Sequence, residues 1–600
     1  MLNSQNIVSN GRKSFILYFT ILLFVVLILR LYQLQIIRYS KFVDFSDANR
    51  IRIVPIEAPR GIIYDRNGEI IVSNESQYNV SIIPFESGSS DSIYSFLGEV
   101  LNSEKEKIVN QVRSYSRGEF IPYCIARDIS FEQLVRLEEN KLDLPGVLFS
   151  IEPVRSFTPR ASLAQTLGYL REVGKEDLEN VKKYGYRMGD LIGWKGLERE
   201  YEQVVRGTRG FKYLQVDVYG REVGEVQERS KIAPKSGHDL YLSIDLDLQV
   251  LCESLMKGKK GAIVCLDADN GEILSLVSKP DYSPEIFSGV IEPKLWRSMR
   301  DDSDRPLYNR VTQGTYAPGS TFKIITAIAA MEEGIVDTNW TVRCRGTYRL
   351  GKRTFRCWNR YGHGRMDMKN AIINSCNIYF YSLIRKMDLD IWADYARLFR
   401  FGSLTGIDLP QESVGIVPDK QFLDNKFGAH GWTEGLKLNL VLGQGDLLVT
   451  PLQMARFAST IANEGTIVQP HLGLKYYDKV ANQFVPFTTN TDSITTISDR
   501  SWDFIQRAMY SVVNSRSGTG RGARVKGCKV YGKTGTSQNP HGEDHSWFIG
   551  FMKNGTKSMS LAVLVEHGGT GGKIAAPIAG KIFKFYNEKC KDINLVYQNE

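Results

Sequence analysis

Eight cysteines in 600 residues are too few to staple a fold with disulfides, and five of them, Cys124, Cys252, Cys265, Cys528 and Cys590, stand singly. After residue 37 no second apolar run is long enough to cross a membrane, so at most one span is expected. Internal repeats and low-complexity tracts are absent, which excludes a solenoid or a disordered scaffold. The 76 basic and 67 acidic residues leave a net +9 that reads as spread along the chain, without an arginine-rich block, so no nucleic-acid partner is expected. What remains is ordinary globular composition, 42% hydrophobic and 24% charged. The length suffices for about two to four domains.

The one long apolar run is Phe15 to Leu29, broken only by Thr20 and extended past Arg30 to Ile37. It reads as a single uncleaved membrane anchor, because Leu31-Tyr32-Gln33-Leu34-Gln35 offers no small-residue cleavage site. The Arg12-Lys13 pair on its short flank predicts a cytoplasmic N-terminus and the bulk of the chain outside. The expected division is a tail 1–13, an anchor 14–37, a mixed α/β pedestal 38–235, a catalytic domain 236–590 and a tail 591–600. Asn67-Gly68 between Ile62-Ile63 and Ile70-Ile71-Val72 signals a hairpin, as does Asp269-Asn270-Gly271 between Ala262–Asp267 and Glu272–Val277. Strands at 262–277 and again at 525–565, with helices between, predict an α+β domain with a mainly antiparallel sheet.

Chemistry is carried by short motifs. In Tyr316-Ala317-Pro318-Gly319-Ser320-Thr321-Phe322-Lys323, a Pro-Gly break precedes the largely apolar run Ser320 to Glu333, which reads as a buried helix. Ser320 at its start and Lys323 three residues on share a face, a hydroxyl beside an amine that can take its proton. The Ser254-x-x-Lys257 match has no such setting. Ser375-Cys376-Asn377 can aim both polar side chains into one cleft only from a loop or a helix end. Lys533-Thr534-Gly535-Thr536 ends a strand-like run, where Gly535 permits close backbone approach along a sheet edge. His541 and His545 are separated by Pro540 and Gly542 and are expected in a loop, not as a helical metal pair.

S-x-x-K, S-x-N and K-T-G in this order resemble the penicillin-binding protein and serine β-lactamase superfamily. The anchor, Arg60-Gly61-Ile62-Ile63-Tyr64-Asp65-Arg66-Asn67-Gly68, Gly196-Leu197-Glu198 with Tyr201-Glu202, and Gly443-Gln444-Gly445 before Thr450-Pro451-Leu452-Gln453 extend the resemblance to class B penicillin-binding proteins, cell-elongation branch. It implies a bacterial plasma-membrane transpeptidase acting on peptidoglycan stem peptides. Ser320 would be acylated by substrate or by β-lactams, Lys323 would be its base, Ser375 and Lys533 would relay the proton, and Asn377 would hold the substrate amide. Thr534 and Thr536 would bind the terminal carboxylate. A SEDS-family glycan polymerase is the implied partner. A division-specific transpeptidase, a β-lactam sensor and a β-lactamase are the alternatives. Lys323 must be neutral to act, so a depressed pKa is expected, from partial burial and the Lys533 charge.

The other three cysteines cluster with a histidine: Cys344, Cys357, His363 and Cys376 at C-x12-C-x5-H-x12-C. Three thiolates and an imidazole suit structural zinc. A Cys344–Cys357 disulfide is the rival. Some relatives in the resembling class carry a metal in this region. Because Cys376 is the middle residue of S-x-N, such a metal would anchor Ser375 and Asn377.

Overall fold

The computed structural model describes residues 10–39, 51–88, 90–115, 122–216, 222–226, 231–288, 291, 293–429, 431–539, 542–555 and 557–597. The apolar run forms the helix Asn10–Tyr32, and the stretch Gly11–Ile37 is long and apolar enough to cross a membrane. At about 1.5 Å per residue its length exceeds a ~30 Å hydrocarbon core. Contacts divide the chain into two units: residues 1–59, 76–153 and 207–236 in one, and 60–75, 154–206 and 237–600 in the other.

The first unit holds an antiparallel sheet of Ile51–Ile56, Gly210–Val216 and Glu222–Glu225. Its helices Asp91–Val100, Lys105–Tyr115 and Phe131–Glu139 bury Ile93, Leu97, Ile108 and Leu137 against Val80 and Ile82. The last of these helices begins with a capping box, Ser130 Oγ accepting from the Gln133 N–H while Gln133 Oε1 accepts from the Ser130 N–H.

The second unit is built on a five-stranded antiparallel sheet in the order Ile273–Lys279, Gly261–Asp267, Lys557–Val565, His545–Asn554, Lys529–Ser537. Period-two alternation sends Ile263 and Cys265 into one core and Ala262, Val264 and Leu266 into another. Both faces are therefore covered, which is why these strands read as continuous apolar runs. Both hairpins expected from the sequence form: Ile63 pairs with Val72, and Ala262 with Ser278. The strand Asp239–Leu242 joins a different sheet, between Gly473–Asp478 and Ile63–Tyr64. Four short strands, Val342–Cys344, Thr347–Leu350, Arg353–Arg356 and Gly364–Met366, interrupt the region read as helical.

The fold leaves Ile273–Lys279 at one edge of this sheet and Lys529–Ser537 at the other. Residues 318–322 lie against it through glycines. A Cβ on Gly535 would meet the Pro318 carbonyl oxygen at 2.7 Å, and one on Gly319 (φ +60°) would meet the Thr536 carbonyl oxygen at 2.7 Å. Gly443 in turn packs on Gly319, whose N–H donates to the Gly443 carbonyl at 2.9 Å. The freedom expected of Gly535 is thus used by the chain's own turn at residues 318–322.

Candidate active site

The run after Pro318 opens differently from the single helix expected. Gly319–Phe322 is a 3-10 turn, and the α-helix begins at Lys323 and runs to Glu332. Lys323 to Ala330 are buried, and Trp392 Nε1 donates to Thr326 Oγ1 at 3.1 Å, pinning the helix from behind. Trp547 Nε1 donates to the Ala317 carbonyl at 3.1 Å and ties the preceding turn to the sheet. Ser320 stays partly exposed at the cleft.

Ser375 stands at the junction between the helices Met368–Ile373 and Asn377–Ile384, in the left-handed conformation (φ +50°). That reversal turns its side chain to the cleft. Lys323 Nζ donates to the Ser375 carbonyl at 3.0 Å, to Ser375 Oγ at 3.3 Å and to Asn377 Oδ1 at 2.7 Å. Lys533 Nζ donates to the same Ser375 Oγ at 3.1 Å and to the Thr534 carbonyl at 2.9 Å. Among the described residues no hydrogen bond joins Lys323 to Ser320, so the amine expected to face the nucleophile is held by the second motif. Catalytic contacts of this kind often tighten only with substrate present.

Both lysines are fully buried and, among the described residues, neither has a carboxylate partner. Burial pulls the Lys323 amine down to about 8, against an upward pull from the neighbouring sulfurs of Cys376 and then Cys357. Burial and then the charge of Lys323 hold Lys533 well below the usual lysine value. The expected causes therefore need correcting: Lys323 is wholly rather than partly buried, and the charge effect runs from Lys323 onto Lys533.

Thr519 was not singled out from the sequence, and Gln444 entered only within Gly443-Gln444-Gly445, with no role given to it. Gln444 Nε2 donates to the Thr536 carbonyl at 3.1 Å, and its Oε1 accepts from the Gln538 N–H at 3.3 Å. In a strand a residue's N–H and C=O point to the same side, so the Thr536 N–H also faces the open edge. Thr519 Oγ1 lies 2.7 Å from Thr534 Oγ1 and orients that hydroxyl. Thr536 Oγ1 accepts from the Gly571 N–H at 3.3 Å. Glycines on both sides of Thr519 and of Gln444 were the available signal. Ser254, by contrast, bonds back to the Leu251 carbonyl at 2.6 Å, and Lys257 is exposed. His541 lies outside the described residues. His545 corrects the loop expectation: it opens the strand His545–Asn554, paired opposite Ser537.

The four-residue cluster is assembled. Donor atoms of Cys344, Cys357, His363 and Cys376 all lie within 4.8 Å of one another, and the cysteines are unbridged. His363 Nδ1 is 3.6 Å from Cys344 Sγ and 3.5 Å from Cys357 Sγ. Bonds of about 2.3 Å to sulfur and about 2.0–2.1 Å to nitrogen at a tetrahedral angle put S and N about 3.6 Å apart, which these two spacings match. A hydrogen bond from Cys376, then one from His363, draws the Cys357 thiol down to about 3. Its bond to that thiolate, then burial, pushes Cys376 up.

Two family models match the chain: the penicillin-binding protein transpeptidase domain over residues 261–584 and the penicillin-binding protein dimerisation domain over residues 55–242. It is 32% identical to the peptidoglycan D,D-transpeptidase MrdA of Acinetobacter baumannii, covering 98% of this chain and 88% of the relative. MrdA of Escherichia coli K12 is 30% identical over 93% of this chain and 92% of its own. Among solved structures, penicillin-binding protein 2 of Helicobacter pylori in complex with MreC superposes with a TM-score of 0.76 at 26% identity, over 89% of this chain and 99% of that one. A chain of a peptidoglycan synthase complex that coordinates polymerization and crosslinking gives 0.71 at 27% identity, over 96% of this chain and 98% of that one.

Proposed function

From the premise that the chain belongs to the penicillin-binding protein transpeptidases, as both family models and the MrdA relatives show, we infer that it is a peptidoglycan D,D-transpeptidase of the MrdA type. The alternatives of a division-specific enzyme, a sensor or a β-lactamase are not favoured by these relatives.

The observation that carries the mechanism is one hydroxyl, Ser375 Oγ, shared by two buried amines at 3.3 and 3.1 Å. Ser320 Oγ attacks the carbonyl of the penultimate D-alanine while neutral Lys323 takes its proton. The oxyanion that forms is met by the N–H groups of Ser320 and Thr536, each such donor being worth about 2.7–4 kcal/mol. The proton passes from Lys323 through Ser375, with Lys533 behind it, to the leaving D-alanine nitrogen. The C–N bond breaks and an acyl-Ser320 ester remains. An amine from a neighbouring strand attacks that ester, and the same relay returns the proton to Ser320. Asn377 holds the substrate amide, and Thr534 and Thr536, beside Lys533 and braced by Thr519 and Gly571, bind the terminal carboxylate. β-Lactams would acylate the same Ser320. Fluorescent penicillin on the full-length protein tests this: the adduct should be long-lived and absent in Ser320→Ala, and equal labelling of that variant rejects the assignment.

Zinc held by Cys344, Cys357, His363 and Cys376 is part of the proposal, supported by the donor spacing. When bound it would neutralise the thiolates and tie the short strands around residues 344–364 to the start of the Asn377–Ile384 helix. Metal analysis of the purified chain should find one zinc; a metal-free, fully active preparation removes it. A SEDS-family polymerase partner rests on the likeness to the synthase complex. A cytoplasmic N-terminus rests on Arg12-Lys13 ahead of the single apolar helix.

A further inference from the structure

Seven arginines and one lysine fall between Arg343 and Arg365, with no acidic residue among those 23 positions. They account for all but one of the chain's net +9. The even spread of charge read from the whole-chain totals is therefore corrected: a local excess was averaged against balanced surroundings. All eight side chains are exposed. Among the described residues none of them forms an ion pair; Arg349 reaches only the Gly351 carbonyl and Arg365 only Thr341 Oγ1.

The short strands organise this charge. In the hairpin of Thr347–Leu350 with Arg353–Arg356, Tyr348 and Phe355 stand opposite one another and turn onto Tyr381. Alternation then sends Arg349 and Arg356 to the outer face. In the ribbon of Val342–Cys344 with Gly364–Met366, Arg343 lies directly opposite Arg365. Like charges opposed across a sheet destabilise it. No acid relieves this pair, which points to an anion supplied from outside the chain.

The surface borders the reacting groups. Asn377 Nδ2 donates to the Arg356 carbonyl at 3.3 Å, and Trp358 Nε1 donates to the Asn374 carbonyl at 3.0 Å, so the basic segment flanks both ends of Ser375-Cys376-Asn377. Trp358 (60% exposed) and Tyr361 (99% exposed) stand among the arginines. Such rings present flat apolar faces beside the guanidinium forks.

We propose that this surface docks the uncross-linked peptidoglycan strand through the carboxylates of its stem peptides other than the one being acylated. The proposal rests on the transpeptidase reading above. A strand repeats carboxylates along its length, so several guanidinium groups engage it at once and raise the local concentration of stems at the cleft. Position favours this occupant over a lipid surface, since the segment that carries the arginines is bonded to Asn377 and Asn374 on either side of Ser375.

The test uses the full-length protein in detergent and a fluorescent, soluble, uncross-linked glycan strand bearing stem peptides, read by anisotropy. Arg343→Gln with Arg349→Gln and Arg365→Gln should raise the Kd about tenfold or more, and the KM for strands with it, while penicillin acylation keeps its rate. The corresponding Arg→Lys set should bind within a few-fold of wild type. A strand with amidated carboxylates should bind wild type as weakly as the Gln variant binds the native strand. Equal binding of native and amidated strands overturns the proposal, as does an unchanged Kd in the Gln variant. Loss of binding to phosphatidylglycerol vesicles with strand binding intact would assign the surface to lipid instead. Failure of the wild-type protein to be acylated at Ser320 would defeat the transpeptidase reading, whereas strand binding is measured without turnover and stays readable.

Discussion

Two groups of buried cations sit in the larger unit and have opposite fates. Around Glu198, Arg60 donates from Nε at 3.0 Å to that carboxylate and from NH2 at 2.5 Å to Glu202. Arg155 places Nε 2.7 Å from Glu198 Oε1, an ion pair whose N–H is not aimed at the oxygen, and donates from NH1 to the Gly61 carbonyl at 2.7 Å. Burial pulls Arg60 down, but Glu198 and Glu202 together hold it above its usual value. Burial brings Arg155 to about 10 despite Glu198, so it too stays charged at neutral pH. Around Ser375 the two lysines donate, among the described residues, to a hydroxyl, carbonyls and an amide, and Lys323 also lies 5.5 Å from the centre of the Phe380 ring. Neutral acceptors stabilise an ammonium less than a carboxylate does, so burial wins and the amine gives up its proton near pH 8. Paired charge keeps its protons, and a buried amine with neutral partners holds its own more weakly.

The strongest way to break this contrast is to give the lysines what the arginines have. Asn377→Asp places a carboxylate on Lys323 and should lift its titration by about two pH units, lowering penicillin acylation at pH 7 about 100-fold. Stopped-flow acylation across pH would show the midpoint moved upward; an unmoved midpoint means counter-charge is not what separates the two clusters. Removing a carboxylate from the other cluster is the converse. Glu198→Gln leaves Arg155 and Arg60 buried with one acid between them and should cost about 3–5 kcal/mol, read as a lower calorimetric Tm, with Ser320 acylation of the folded protein retained at low temperature.

In the wild-type enzyme the sign is set by the depressed amine. Below about pH 8 Lys323 is protonated and cannot accept, so acylation should fall about tenfold per pH unit and level off above. A rise continuing to the ordinary lysine range near 10.5 would overturn the neutral-base assignment. The smallest effect belongs to charge left in water. Arg507 and Asp503 pair on an exposed helix face, and Arg507→Ala should shift the Tm by less than about 2 °C, which separates burial from ion pairing as the source of the other effects.

Ser320, Lys323, Ser375, Asn377, Lys533 and the Cys/His set were legible as residue types at fixed spacing, and the two hairpins as turn chemistry between apolar runs. Thr519, Arg155 and the outward arginine ribbons were not, and Gln444 was legible as part of a motif but not in what it holds. Each acts through a partner far along the chain or through which face of a strand it occupies. Whole-chain charge totals concealed the arginines because a sum carries no position.

Composition and motif order by themselves determined the residue types on hand: a serine with a lysine one turn on, a second serine and asparagine, a lysine and threonines at a strand end, and one apolar span. Only the tertiary structure decided how that chemistry is powered. Lys323 lies 52 residues from Ser375, and Lys533 lies 158 residues from it. Whether two such amines meet a carboxylate or a hydroxyl depends on which chain segments pack together. Burial, which lowers their pKa, is a property of that packing and of no local stretch of sequence.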